Sequence, residues 1–164
     1  MRRLGSAEPV CGGQEVVLPA GVEELLVKVV TDGFTLYRCG PQEAPRALVA
    51  CYAWAHYVDL LTVGDFARVV TARVPTLGLP VDIFAPETVV WAYEGPPQHA
   101  VQALLNLVHP DHPDAPTTSY PAPAGLRVPR AQQRPLRIQP PPPSRAGVRA
   151  ERLATTTPTP MVTR

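Results

Sequence analysis

The chain has 164 residues, of which 45% are apolar, and a formal net charge of +1 at pH 7. That length is enough for one domain with a hydrophobic core and short for two ordinary ones. No stretch reaches the roughly 18 apolar residues that a membrane span needs, and polar residues between Arg2 and Glu15 interrupt any apolar leader, so we expect a soluble, cytoplasmic protein.

The first predicted element is a hairpin over residues 25–39. Two β-rich runs, Leu25 to Thr31 and Phe34 to Cys39, flank Asp32-Gly33. That dipeptide tolerates the positive φ angles of a tight type I′ turn, which favours two antiparallel strands. A proline-containing loop is expected to follow over residues 41–46.

The segment from residue 47 to residue 74 predicts three further strands. In residues 47–54 the side chains are mostly apolar at both the even-numbered and the odd-numbered positions. This pattern is typical of a strand buried on two faces. Tyr57 to Val63 and Phe66 to Val74 flank Gly64-Asp65, where a leading glycine suits a tight type II′ turn. We therefore predict a second hairpin here.

The next apolar segments surround Pro86. A short run from Val81 to Phe84 ends where this proline interrupts pairing. Thr88 to Tyr93 is apolar on both faces, which predicts a central strand.

One helix is predicted after the last of these strands. Gly95-Pro96-Pro97 fits a helix start, where the missing proline N–H costs nothing. Four apolar residues follow at the spacing that gathers them on one helical face: Val101, Leu104, Leu105 and Val108. The helix should end near His109-Pro110 and cover one face of the sheet.

The composition of the chain changes near Pro110. Residues 1–109 hold nine of the 22 prolines, whereas residues 110–164 hold thirteen. Residues 1–125 carry seven basic and thirteen acidic side chains, and residues 126–164 carry eight arginines and one glutamate. This separation predicts either an acidic body onto which the tail folds back or a tail directed at an acidic partner.

These contrasts predict a flexible N-terminus at 1–20, an α+β domain at 21–109 and a largely disordered, proline-rich basic tail at 110–164. The tail holds two apolar triplets, Leu126-Arg127-Val128 and Leu136-Arg137-Ile138, each of which could add a short strand to a sheet edge. Pro140 to Pro143 fits a short polyproline II segment.

The densest group of metal-type ligands is His109-Pro110-Asp111-His112-Pro113-Asp114. Its imidazoles and carboxylates are ligands that a divalent ion such as zinc accepts. The prolines indicate an irregular segment rather than a rigid frame, and we interpret it as a polar linker after the helix.

Two other sets of residues have the chemistry of catalytic groups. Cys39 and Cys51 could approach across adjacent strands, with His56 as a base, but no cysteine-enzyme signature surrounds them and Cys11 leaves the number of thiols odd. We interpret the cysteines as reduced, structural thiols. Four acidic residues lie on or beside predicted strands and are interpreted as solvated strand ends and turn residues: Asp59, Asp65, Asp82 and Glu87.

The tail arginines give the strongest indication of a partner, because guanidinium groups pair well with phosphate. They are Arg127, Arg130, Arg134, Arg137, Arg145, Arg149 and Arg152. No aromatic residue follows Tyr120 to stack on unpaired bases, so a solubilising or self-docking tail is the favoured interpretation.

The sequence therefore predicts a small α+β protein with a mainly antiparallel sheet of five to seven strands, one C-terminal helix and a disordered tail rich in proline and arginine. We assign no catalytic, cofactor-binding or metal-binding residue and no cofactor. The first functional hypothesis is a non-catalytic protein-interaction domain with a protein partner and no membrane contact. The alternatives are a nucleic-acid-associated accessory protein that uses the basic tail and a small enzyme with an acidic or histidine site.

Overall fold

The structure is a computed structural model that describes residues 21–41, 45–64 and 68–154. The predictions for residues 1–20 and 155–164 lie outside the described residues. The helices and strands, in chain order, are α1 (Val22–Thr31), β1 (Thr35–Cys39), β2 (Ala47–Ala53), β3 (Tyr57–Val63), β4 (Val69–Pro75), β5 (Thr88–Val89), β6 (Trp91–Gly95), α2 (Pro97–Leu105), β7 (Tyr120–Pro121), β8 (Leu136–Gln139) and α3 (Val148–Ala154).

A six-stranded sheet organises the fold in the order β6-β4-β3-β2-β1-β8, and every neighbouring pair is antiparallel. The short strands β5 and β7 form a separate pair. The predicted α+β class with a mainly antiparallel sheet is confirmed.

Within the described ranges, none of the helices has the length and apolar character to cross a membrane.

Each face of the sheet has its own core. On one face, called the helix face, Leu36, Leu48 and Leu61 pack against residues of α1 and α2 such as Val29 and Leu104. The opposite face, called the loop face, is covered by the connections at residues 81–90 and 122–128, which bury Val89, Leu126 and Val128 against β-strand side chains. Strands between two apolar layers need side chains that are apolar on both sides, as β2 has.

The first predicted strand is wrong, because residues 22–31 form the helix α1. Val22, Leu26 and Val29 are buried at helical spacing, while Val27 and Lys28 face outward. The β-branched composition favoured a strand, and the burial of one helical face outweighs that preference. Asp32-Gly33 therefore ends a helix rather than turning a hairpin, and Gly33 has a φ of 106°.

The predictions for the middle of the chain are mostly confirmed. Strand β2 and the β3–β4 hairpin form where expected, but Val63 pairs with Val69, so the connection is longer than the expected tight turn. The predicted central strand is instead interrupted after β5, and its second part, β6, is an edge strand with Trp91 and Tyr93 half-buried. Residues 81–84 form a turn rather than a strand, and Phe84 packs on the loop face.

The predicted helix is α2, which packs against α1 and the helix face of the sheet. It ends at Leu105, before the proline that was expected to stop it, and Asn106 serves as its C-cap. Two further helices lie where none was predicted, α1 and α3.

The segment from residue 110 to residue 154 contributes to the same body. β8 pairs with β1, as the triplet Leu136-Arg137-Ile138 had indicated, whereas Leu126 and Val128 are buried without forming a strand. The expectation of disorder for this segment rested on its small apolar surface. Within the described residues, this segment contacts the sheet through the β8–β1 ladder, the guanidinium of Arg149 and the buried side chains of Leu126 and Val128.

A buried carboxylate lies at the centre of this attachment. Asp59 is fully buried on β3, and Arg73 lies directly opposite on β4. The guanidinium of Arg73 donates to both carboxylate oxygens of Asp59, at 2.7 and 3.0 Å, and Trp54 donates its indole N–H at 2.9 Å. Arg149 of α3 adds two more hydrogen bonds to Asp59, at 2.9 and 3.2 Å.

The same arginine joins a second carboxylate at the end of α1. Arg149 donates to Asp32 at 2.9 Å, and Arg152 binds both oxygens of Asp32 at 2.9 Å. The two guanidiniums also donate to the carbonyls of Leu104 and Leu105, at 2.8 and 2.9 Å. Cations at a helix C-terminus satisfy carbonyls that have no partner within the helix, so α3 holds the ends of both α1 and α2.

Arg149→Met tests this network. We expect the substitution to lower the free energy of unfolding by about 3 to 5 kcal/mol, because it breaks a buried ion pair and leaves two carboxylates short of donors. Chemical denaturation followed by tryptophan fluorescence measures the change. Arg130→Met, at an exposed position, is the matched control, and equal losses in the two variants would contradict the assignment.

Thr62→Val tests the packing of the loop face. Among the described residues, the Thr62 hydroxyl is a buried side-chain group without a hydrogen-bond partner. Replacing it with a methyl group of similar size should raise the free energy of unfolding by about 1 kcal/mol. Thr71→Val should have the opposite sign, because the Thr71 hydroxyl lies 3.4 Å from the carbonyls of Tyr93 and Ala100.

Candidate protein-interaction surface

The two edges of the sheet differ in how far they are covered. All four residues of β8 are exposed, whereas at the other edge only Glu94 of β6 is exposed. Glu94 is itself engaged in an ion pair with Arg68. An exposed edge strand presents backbone groups to which another chain can pair, so β8 is the edge with a surface available for binding.

The register of β8 shows which of its backbone groups face outward. The N–H of Gly40 donates to the carbonyl of Pro135 at 2.7 Å, directly before β8. Because hydrogen-bonded pairs alternate along antiparallel strands, Arg137 and Gln139 direct their backbone groups toward β1. The N–H and C=O groups of Leu136 and Ile138 therefore point away from the sheet.

The side chains of β8 divide between the two faces. Leu136 and Ile138 lie opposite Cys39 and Tyr37 on the loop face, and they are 43% and 54% exposed. Arg137 lies on the helix face, directly opposite Arg38 of β1. A partner strand at this edge would meet apolar side chains on one face and cations on the other.

A groove of about 330 Å³ opens beside β8 on the helix face, between α1 and β1. Its apolar wall includes Leu26 and Leu36. Arg38, Arg145 and Glu23 also line it, so cations outnumber acidic groups in the groove. The groove can accept an apolar side chain together with a carboxylate.

The His/Asp segment does not converge on a common point. The Nδ1 atoms of His109 and His112 each accept the backbone N–H two residues ahead, from Asp111 and Asp114, at 3.0 Å. His109 also packs against the ring of Trp54 at 4.8 Å. Within residues 21–41, 45–64 and 68–154, no group of three or more histidine, cysteine or acidic side chains is arranged to hold a metal ion.

The two described cysteines, Cys39 and Cys51, lie apart. Cys39 pairs with Ala47 and Cys51 pairs with Thr35, so the thiols occupy opposite ends of the β1–β2 ladder. Burial raises the pKa of Cys39 from 9.0 to about 11. Burial also raises the pKa of Cys51, and a hydrogen bond with Tyr37 partly opposes that rise. Both thiols are thereby kept protonated at neutral pH, which is the reverse of an activated nucleophile.

The four acidic residues have separate environments. Asp59 is the buried centre of the arginine network, so its interpretation as a solvated strand end is wrong. Asp82 is exposed and accepts the N–H of Phe84 at 3.0 Å, as a turn residue does, and Glu87 is exposed. Asp65 lies outside the described residues.

The tail arginines also divide into two groups. Arg149 is fully buried and Arg152 is half-buried, and both bind carboxylates of the body. The other five remain exposed: Arg127, Arg130, Arg134, Arg137 and Arg145.

The sequence did not indicate a role for Arg38, because its position opposite Arg137 depends on the pairing of two strands that are distant in the chain. The triplet around Arg137 was the available signal for that pairing.

Thiol alkylation tests the cysteine environments. In a Cys11→Ser variant at pH 8, iodoacetamide should modify native Cys39 at least about 100-fold more slowly than in denaturant, because each unit of raised pKa lowers the thiolate fraction about tenfold. The rate should rise with pH up to about 11, and mass spectrometry of the labelled peptide measures it. A plateau below pH 9 would disprove this environment.

Comparison of the chain with protein-family models, with curated proteins and with solved structures found no match. The binding chemistry of the β8 surface is therefore inferred from its own residues alone. Outward backbone groups at Leu136 and Ile138 can pair with an extended chain, and Arg38, Arg137 and Arg145 can bind anionic side chains.

Proposed function

We propose that this chain is a non-catalytic protein-interaction domain of the cytoplasm whose β8 edge receives an extended segment of a partner protein. In this mode a peptide adds one strand to a sheet, so that backbone hydrogen bonds provide affinity and alternate side chains provide specificity. The observation that carries the proposal is the outward orientation of the Leu136 and Ile138 backbone groups on a fully exposed edge strand.

The residues around β8 limit what can pair with it. Pro135 and Pro140 flank the strand, so the edge offers a short ladder rather than a long one. Short, proline-bounded edges resist indefinite edge-to-edge association. Such an edge favours a short peptide over a sheet of another copy of the chain.

The environments of the charged groups and thiols bear on the two alternatives to a protein partner. Arg149 and Arg152 are bound to Asp32 and Asp59, so these cations are not available to a phosphate backbone. The raised pKa of the Cys39 thiol does not favour a nucleophile. Asp59 and Asp82 lie in different environments, so they do not support a pair of catalytic carboxylates. The enzyme hypothesis therefore has less support from the described residues, and the tail cations left for a phosphate backbone are the five exposed arginines.

Ile138→Pro tests the strand-addition mode. Proline removes an outward N–H without removing a hydrogen bond to β1, because an edge strand tolerates proline where its nitrogen faces solvent. Peptides selected on the wild-type protein from a randomised octapeptide library should lose at least about tenfold in affinity for the variant. Fluorescence polarisation measures the affinities.

Two controls make the test specific. Ile138→Ala removes most of the side chain but keeps the N–H, so it should retain more affinity than Ile138→Pro. Amide exchange should show that peptide binding protects the N–H groups of Leu136 and Ile138. Selected peptides that bind Ile138→Pro as tightly as wild type, or a library that yields no binder, would overturn the proposal.

A further inference from the structure

Two arginines face each other across the β1–β8 pair. Arg38 and Arg137 are directly opposite partners in the register and therefore lie on the same face of the sheet. Like charges in this position destabilise a pair of strands. An anion bound between the two guanidiniums would be held by both.

The neighbouring charges leave this pair uncompensated. Within the part of the chain that the structure describes, no acidic side chain lies within ion-pair distance of Arg38, Arg137 or Arg145. Glu23 lines the same groove but makes no ion pair with Arg38 or Arg145. Arg149 and Arg152 show the contrast, since each of them binds a carboxylate at 2.9 Å.

We infer that the segment received by β8 is acidic on one face: it carries Asp or Glu side chains toward Arg38 and Arg137, and apolar side chains toward Leu136 and Ile138. This inference rests on the proposed strand addition. Alternate residues of an added strand point to opposite faces, so cations on one face and exposed apolar side chains on the other select a strand that alternates between acidic and apolar residues. The charge of the surface thereby identifies an acidic peptide as the occupant.

The apolar and the cationic side chains would contribute differently to peptide binding. Leu136 and Ile138 are about half exposed, at 43% and 54%, so a covering side chain would remove apolar surface from water. The guanidinium pair supplies charge-assisted hydrogen bonds, which carboxylates accept in a bidentate manner. The register of the bound strand is therefore fixed by the acidic positions, because a shift by one residue would place carboxylates over the apolar face.

An octapeptide that alternates valine and glutamate is the probe, with a valine and glutamine octapeptide as its neutral match. We expect the acidic peptide to bind the wild-type protein about tenfold more tightly than the neutral one at low salt, with the difference decreasing as salt is added. Isothermal calorimetry on the full chain measures both affinities. Equal affinities for the two peptides would overturn the inference.

Arg137→Glu separates binding from folding. The new carboxylate faces Arg38, so the variant should have a higher melting temperature than wild type, yet its affinity for the acidic peptide should fall at least about tenfold. A valine and lysine octapeptide should bind this variant better than it binds wild type. Arg130→Glu makes the same change in net charge at an exposed position outside β8, and it should leave the affinity for the acidic peptide within about twofold.

The outcomes distinguish the acidic-face inference from the strand addition on which it rests. If selected peptides bind and are sensitive to Ile138→Pro but show no dependence on Arg38 or Arg137, the acidic face is wrong and strand addition stands. If the acidic peptide binds Ile138→Pro and wild type equally, strand addition itself fails. If a short oligothymidylate binds more tightly than the acidic peptide and competes with it, the arginines serve nucleic acid and the inference fails.

Discussion

The Asp59 carboxylate is the constraint on which the rest of the fold depends. It is fully buried, and the guanidiniums of Arg73 and Arg149 and the indole of Trp54 donate hydrogen bonds to it. A buried charge is tolerated only when its partners satisfy it. Since one partner comes from β4 and another from α3, satisfying this single group requires that the C-terminal helix be attached to the sheet.

That attachment determines where β8 lies. The chain from α2 to α3 must leave the helix face, cover the loop face with Leu126 and Val128, and return to place Arg149 beside Asp59. Strand β8 lies on the return path, beside β1, and the carbonyl oxygen of Arg145 closely approaches Gly33. A side chain at Gly33 would collide there and would also be strained at its φ of 106°. The exposed edge is thus positioned by contacts at residues that do not belong to it.

The sequence predicts elements well where local pattern and burial agree, as for β2, the β3–β4 hairpin and α2. It fails for α1, since β-branched residues that read as a strand are buried on one helical face. For the C-terminal segment, the apolar content of the sequence does not reveal the guanidinium contacts that attach α3 to the sheet. The opposite charges of the two parts of the chain were the available signal, but pairing Arg149 with Asp59, or Arg38 with Arg137, requires three-dimensional information that residue patterns lack.

Arginine serves two opposite purposes in this molecule, and its surroundings decide which. Arg149 and Arg152 have carboxylates and helix carbonyls around them, so their charges are used to hold the fold. Arg38 and Arg137 face each other without such partners, so their placement costs stability while leaving two guanidiniums available. The same side chain therefore stabilises the fold where carboxylates surround it, and it destabilises a strand pair where another cation lies opposite.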